Sequence, residues 1–175
     1  MIATREFSRL FDLGELGSGE SGFELEAVAQ ERLAVARRLD LLQLEELVAE
    51  GTVEAGSGGV IRVRGALRAR LRQRCVVTLE PVEAEVTAEF DRLFLRGGTV
   101  AGTVILDPEE EEPEPLLGDL LDLGELLTEE LALAIDPYPR SPDAESHLAR
   151  YASIGEAGGG AGPLAEALRR LGRND

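Results

Sequence analysis

The sequence predicts an α+β fold with a mostly antiparallel sheet, centred on a long hairpin, and about two or three helices packed on it. Three observations lead to this prediction. Apolar and charged residues alternate from Val60 to Asp91, the alternation reverses after Glu80-Pro81, and two other segments have the apolar spacing of amphipathic helices. A chain of 175 residues is long enough to bury a core without disulfides or metals.

The composition favours an acidic protein that binds basic partners. The chain has 34 acidic and 18 basic residues and a net charge of −16, which repels phosphates at long range and attracts basic proteins. Its single cysteine, Cys75, and single histidine, His147, exclude an internal disulfide and a multi-cysteine zinc site. No signal-peptide core and no long apolar run is present. We therefore expect a cytoplasmic protein with no membrane association and no cofactor.

The alternation in the first half of the hairpin separates arginines from apolar residues. A two-residue period this long predicts a strand with one buried and one charged face. The even-numbered arginines are Arg62, Arg64, Arg68, Arg70, Arg72 and Arg74. The odd-numbered apolar residues are Val63, Leu67, Ala69, Leu71, Cys75, Val77 and Leu79.

A tight turn at Glu80-Pro81 is predicted because the apolar residues become even-numbered from Val82 to Phe90. Two registers are compatible with this reversal, and in both of them an arginine face meets an acidic face. The wider loop is favoured because it places Pro81 at the second turn position. The two-residue loop pairs Arg72 with Glu89 and Arg70 with Asp91, whereas the wider loop pairs Arg74 with Glu89 and Arg72 with Asp91.

The segments before the hairpin contain weaker signals. The pattern predicts a short strand over Thr4–Leu10, a Gly/Ser loop over Gly14–Gly22 and a strand from Phe23, followed by an amphipathic helix over Gln30–Leu39. Leu41–Gly51 is compatible either with a continuing helix or with a turn that leads into a strand.

After the hairpin, Thr103–Leu106 is a short apolar run, and Asp107–Pro115 predicts an exposed acidic loop. A helix is predicted to begin at Asp122 as N-cap, with Glu125 three residues later, and to end before Pro137. We expect one domain over residues 1–140, with the acidic loop at 107–115. Residues 141–175 are expected to form a flexible tail with a short C-terminal helix.

The arginine face has two interpretations that the sequence leaves open. Guanidinium groups pair well with phosphate oxygens and suggest nucleic-acid binding, whereas carboxylates on the facing strand would neutralise them. Arg62, Arg64 and Arg68 extend beyond those facing acids and are expected to be the freer contacts.

Catalytic interpretations find less support in the residues. Cys75 is expected to point inward among Val77, Val86 and Ala88 as a small hydrophobe, with no neighbouring histidine to activate it. A second set of residues has helical spacing suited to two metal ions, but capping already explains its first two members and a solvated helix face explains the other two. That set is Asp122, Glu125, Glu129 and Glu130.

Two segments resemble the YceD-like family of large ribosomal RNA subunit accumulation proteins, in particular its alphaproteobacterial branch. The first is Gln-Arg-Cys-Val-Val-Thr-Leu-Glu-Pro at 73–81, and the second runs from Leu121 to Arg140. Some branches carry a second cysteine, which this sequence lacks, so metal binding does not transfer. The residues that match the family motifs are Cys75, Thr78, Glu80, Pro81, Asp122, Gly124, Glu125 and Pro137.

The resemblance implies a ribosome biogenesis factor that supports synthesis, processing or accumulation of 23S rRNA. It implies binding to precursor 23S rRNA or to a large-subunit ribosomal protein, and it transfers no catalytic residue, so we expect no enzymatic activity. The alternative is an acidic adaptor or chaperone-like protein that binds a basic protein without touching RNA.

Overall fold

The structure is a computed structural model that describes residues 6–16, 19–97 and 113–157, with side chains up to residue 150. The helices and strands in these ranges confirm the predicted α+β class. In chain order they are β1 (Leu10–Asp12), α1 (Leu13–Leu16), β2 (Glu20–Glu26), α2 (Ala29–Arg38), β3 (Gln43–Ala55), β4 (Val60–Arg74), β5 (Pro81–Arg96), β6 (Glu114–Leu116), β7 (Leu120–Asp122), α3 (Leu123–Ala134) and α4 (Ala144–Ala157).

The chain divides into two compact units. The first comprises residues 1–73 and 83–137, and the second comprises residues 74–82 and 138–175. In the first unit a five-stranded sheet has the order β2-β3-β4-β5-β6, and a smaller sheet pairs β1 with β7. β2 and β3 are antiparallel, as are β3 and β4, whereas the short β6 lies parallel to β5.

The core of the first unit lies under the odd-numbered face of β4, as the alternation predicts. Val63, Leu67, Ala69 and Leu71 are buried, while the arginines between them point to the other side. They belong to one apolar cluster with residues of the two longer helices of this unit. The helical members of that cluster are Val35, Ala36, Leu123, Leu126, Leu127 and Leu131.

Two facing glycines allow β3 and β4 to approach closely at the middle of the sheet. Gly51 lies directly opposite Gly65. A Cβ atom added to Gly65 would lie 2.5 Å from the carbonyl oxygen of Glu50 and 2.7 Å from Cζ of Phe90. The missing side chain therefore makes room for the ring of Phe90, which is buried.

The predicted start of α3 is confirmed, and its cap ties the helix to the N-terminal segment. Asp122 Oδ1 accepts hydrogen bonds from the backbone N–H groups of Gly124 and Glu125, at 3.1 and 3.3 Å. The same carboxylate accepts from the N–H of Arg9 at 2.8 Å and from Ser8 Oγ at 2.7 Å. One carboxylate thus satisfies donors on two segments that are far apart in sequence.

Several local predictions differ from the structure. Within the described residues the N-terminal strand begins only at Leu10, because Ser8 and Arg9 bond to Asp122. The ambiguous segment Leu41–Gly51 enters β3 after a turn, and the predicted Gly/Ser loop contains α1 and the start of β2. The end of the predicted acidic loop forms β6, and the sequence pattern does not predict α4. Thr103–Leu106 and the predicted C-terminal helix lie outside the described residues.

The predicted hairpin is present, but both predicted registers are wrong. β4 ends at Arg74 and β5 begins at Pro81, so six residues form the loop. Arg72 pairs with Glu83, and Asp91 pairs with Arg62 instead of Arg70 or Arg72. The strand ends early because Cys75–Glu80 closes into a turn, in which the N–H of Leu79 donates to the carbonyl of Cys75 and Leu79 has a φ of 65°.

Replacing Gly65 with alanine is expected to lower the free energy of unfolding by about 1–3 kcal/mol, because the added methyl overlaps Glu50 and Phe90. Gly22→Ala is the matched control, since its Cβ would meet only the carbonyl of Gly51 at 3.8 Å. Urea unfolding of both variants measures the difference. Equal stabilities for the two variants would contradict the close approach of the strands.

Candidate partner-binding surface

The even-numbered residues of β4 place a row of arginines on the outward face of the sheet. The side chains of Arg68, Arg70 and Arg64 are 62%, 54% and 50% exposed. Because residues two apart on a strand share a face, these groups form one ridge. The ridge agrees with the charged face that the alternation predicts.

Carboxylates of β3 pair with the central arginines of this ridge. Arg68 Nη2 donates to Glu46 Oε1 at 2.8 Å, and Arg70 Nε donates to Oε2 of the same residue at 2.7 Å. Arg64 Nη2 donates to Glu54 at 3.1 Å. Burial raises the pKa of Glu46, but the charge of Arg68 and the hydrogen bonds from both arginines outweigh it and lower that pKa.

Carboxylates of β5 pair with the two ends of the ridge. Arg62 donates to Asp91 through Nε at 2.8 Å and Nη2 at 2.7 Å, a bidentate contact. The hydrogen bond from Arg62 is the main reason that the pKa of Asp91 lies below its ordinary value. Arg72 lies 2.8 Å from Glu83 and 3.5 Å from Glu45, which belongs to β3.

The prediction that Arg62, Arg64 and Arg68 are freer than the other arginines is wrong. Arg64 and Arg68 pair with acids of β3, a strand outside the hairpin. Arg62 reaches Asp91 because the observed six-residue loop shifts the pairing of β4 with β5 away from both predicted registers. Of the six arginines of β4, only Arg74 has no ion-pair partner among the described residues. The signal that sequence reasoning missed is the group of glutamates in and just after the ambiguous segment that forms β3, namely Glu45, Glu46 and Glu54.

Three other glutamates of the outward face form no ion pair within the part of the chain that the structure describes. Glu24 of β2 lies directly opposite Glu50 of β3, and Glu50 lies opposite Ala66 of β4. Among the described residues no arginine pairs with Glu24, Glu50 or Glu89. The face is therefore largely neutralised along β4, and unpaired glutamates remain on both sides of it, at Glu24 and Glu50 toward β2 and at Glu89 on β5.

The second unit contains the loop that carries the first family motif. Cys75 is buried, and its Sγ accepts from the N–H groups of Val77, Thr78 and Ser141 at 3.4, 3.3 and 3.2 Å. The prediction that Cys75 points inward among Val77, Val86 and Ala88 is wrong in part. Backbone donors of the turn and of Ser141 hold the sulfur, because the strand ends before it.

The environment of this sulfur favours the thiolate. Burial raises the pKa of Cys75, but hydrogen bonds from Thr78 and Ser141 outweigh burial and lower the pKa to about 6. The hydroxyl groups of Thr78 and Ser141 also contact each other at 3.1 Å. The cysteine thus anchors a turn to a segment 66 residues away.

The remaining motif residues have structural roles as well. The carbonyl of Glu80 accepts from the N–H of Cys75 at 2.8 Å, and Pro81 begins β5. Gly124 is required because a Cβ there would lie 2.8 Å from the carbonyl oxygen of Phe7. Pro137 follows the end of α3.

Three of the four carboxylates whose spacing would suit metal ions have partners within the protein. Asp122 caps α3, Glu125 pairs with Arg38 at 2.7 Å, and Glu130 pairs with Arg92 at 2.7 Å. Glu129 is exposed on the same helix. Within the part of the chain that the structure describes, no group of three or more histidine, cysteine or acidic residues is arranged to hold a metal ion.

None of the described helices combines the length and the apolarity that crossing a membrane requires. Comparison with protein-family models matches residues 63–156 to the family described as large ribosomal RNA subunit accumulation protein YceD. This range covers more than half of the chain and includes both motif segments. No curated protein matches the chain, and no solved structure matches it.

The stabilising effect of Cys75 is expected to depend on pH. Its pKa falls from an ordinary 9.0 to about 6 on folding, so thiolate formation stabilises the folded protein above pH 9.0, and this contribution is lost as the pH falls through about 6. Urea unfolding of the wild type and Cys75→Ala at several pH values measures the contribution. The stability difference should shrink on acidification from 9.0 to 6, and a difference that grows would contradict the assignment.

Proposed function

The chain belongs to the large ribosomal RNA subunit accumulation family YceD, and from this membership we propose that it is a cytoplasmic, non-enzymatic biogenesis factor of the large ribosomal subunit. It acts by binding a basic ribosomal protein of that subunit. Such binding shields the positive charge of the ribosomal protein until 23S rRNA takes it up, and so supports accumulation of that RNA.

The pairing of the β4 arginines is the observation that supports this choice of partner. With five of the six arginines facing carboxylates, the outward face presents no uncompensated basic ridge to a nucleic acid. The whole chain has a net charge of −16. Ribosomal proteins with exposed lysine and arginine are attracted by this field, while RNA phosphates are repelled.

Direct contact with precursor 23S rRNA is the second candidate function. It is favoured by the exposure of Arg68 and Arg70, whose side chains are more than half accessible. Exposed ion pairs are each worth only about 0–1 kcal/mol, so phosphate groups can replace the carboxylates. The residues for this contact are Arg62, Arg64, Arg68, Arg70, Arg72 and Arg74.

A binding experiment separates the two candidates. The protein is titrated with purified large-subunit proteins and, separately, with 23S rRNA fragments, over a range of salt concentrations. The proposal predicts salt-sensitive binding to one or more basic proteins and little binding to RNA. It also predicts that the triple variant Arg62→Gln/Arg64→Gln/Arg68→Gln binds the protein partner at least as well as the wild type, because the variant is more acidic.

RNA contact predicts the opposite pattern. RNA binding would then show a steep negative dependence on salt, and the slope would decrease by about 0.7–0.9 for each phosphate that the triple variant no longer neutralises. Absence of binding to any large-subunit protein, together with this RNA behaviour, would contradict the proposed partner and establish the second candidate.

A further inference from the structure

We propose that the open edge of β2 is the docking site for a basic, extended peptide segment, which adds to the five-stranded sheet as an additional strand. This inference rests on the proposed function and deepens it, since it assigns both the surface and the mode of binding. Strand addition of this kind obtains affinity from backbone hydrogen bonds and specificity from alternate side chains.

The direction of the backbone groups in β2 follows from its pairing with β3. The N–H of Ala55 donates to the carbonyl of Gly19 at 3.1 Å, and the N–H of Ala27 donates to the carbonyl of Leu47 at 3.0 Å. Gly19 and Ala27 are both odd-numbered and face β3. Because adjacent residues of a strand alternate in direction, the even-numbered residues of β2 point their N–H and C=O groups away from β3.

These outward groups form an available edge. β2 is the terminal strand in the order of the sheet, and no described residue pairs with its far side in a ladder. The carbonyl of Glu26 accepts a 3.4 Å hydrogen bond from Arg9, which marks one end of the edge. The N–H and C=O groups of Glu20, Gly22 and Glu24 remain for an incoming strand.

The charges beside this edge specify a cationic partner. Glu24 and Glu50 lie directly opposite each other, and Glu24 belongs to the pairs without mutual hydrogen bonds, in which side chains approach most closely. Like charges at such a position are destabilising. A lysine or arginine on a strand added beside Glu24 would relieve this repulsion, and among the described residues no arginine forms an ion pair with either glutamate.

The surface next to the edge also has room for the side chains of a partner. A groove of about 760 Å³ is lined by the glycines Gly22, Gly51 and Gly65 together with Phe23, Glu24 and Glu50. A second groove of about 680 Å³ continues along Glu24 and Glu26, and Arg68, which pairs with Glu46, also lines it. Alternate basic side chains of an added strand would enter these grooves and meet the glutamates.

Other occupants fit the edge less well. A second copy of the chain, adding through its own β2, would bring its glutamates against those of the first copy. RNA has no backbone that matches a ladder of peptide groups, and its phosphates are repelled by the same glutamates. The observations therefore favour a basic peptide segment.

The test uses the full-length protein and a peptide of about ten residues with alternating lysine and valine, a length typical of longer strands. Fluorescence anisotropy measures affinity, and hydrogen exchange by nuclear magnetic resonance identifies the protected amides. We expect protection at Glu20, Gly22 and Glu24. We expect Glu24→Pro to bind the peptide with an affinity at least roughly tenfold lower than that of the wild type, because proline removes one outward N–H and obstructs the added strand.

Three controls separate the backbone contact from charge. Glu24→Gln keeps the N–H and removes the charge, so it should weaken binding less than Glu24→Pro. Glu129→Gln changes an exposed glutamate of α3 and should bind the peptide like the wild type. A version of the peptide with methylated amides along one edge keeps all lysines but cannot form the ladder. Its affinity for the unchanged wild-type protein should be no higher than the affinity of Glu24→Pro for the parent peptide.

Protection at β5 instead of β2, equal binding of both peptides, self-association through β2, or preference for an RNA fragment would each overturn this inference. Its failure is distinguishable from failure of the proposed function. If Glu24→Pro leaves binding to the large-subunit proteins intact, the biogenesis role stands and the edge is wrong. If the wild type binds none of those proteins but Glu24→Pro still binds the peptide more weakly than the wild type does, docking at the β2 edge is supported and the proposed class of partner is wrong.

Discussion

The two-residue period of the central strand is the constraint on which the rest of the structure depends. Every second side chain of β4 must enter the core, so the arginines between them must share the other face. Because β4 lies between β3 and β5, carboxylates from both neighbouring strands reach that face. Glu46, for example, accepts hydrogen bonds from two arginines. The sequence pattern of this arginine ridge suggests RNA binding, but in the folded structure carboxylates of the neighbouring strands neutralise most of its charge.

The charge that remains on the outward face supports the proposal of a basic protein partner. Pairing of the arginines leaves unpaired glutamates on β2, β3 and β5 of the outward face, and the chain belongs to a family described as large ribosomal RNA subunit accumulation protein. A factor of that family can support rRNA accumulation without touching RNA, if it handles a basic protein on the way to that RNA. Under the strand addition that we propose, the β2 edge would hold a segment of such a protein in an extended form.

Patterns within one element are predictable from the sequence, whereas contacts between distant elements are not. The buried face of β4, the helix at Ala29–Arg38 and the cap by Asp122 follow from residues close in sequence. The predicted hairpin register is wrong because the sulfur of Cys75 binds backbone groups of its own turn and of Ser141, and no local pattern reports that contact. The acids of β3 are missed because Leu41–Gly51 is compatible with either a helix or a strand, and no local pattern shows that this strand lies beside β4.

The pKa of the Asp91 carboxyl group tests the paired ridge most directly. Carbon-detected magnetic resonance titration of the wild type, Arg62→Gln and Arg72→Gln measures it. The account predicts a pKa below the ordinary value in the wild type and in Arg72→Gln, and a return toward the ordinary value in Arg62→Gln, because Arg62 donates both hydrogen bonds to this carboxylate. A pKa that responds to Arg72→Gln and ignores Arg62→Gln would contradict the account, since Arg72 would then face Asp91 and the arginine ridge would have different partners.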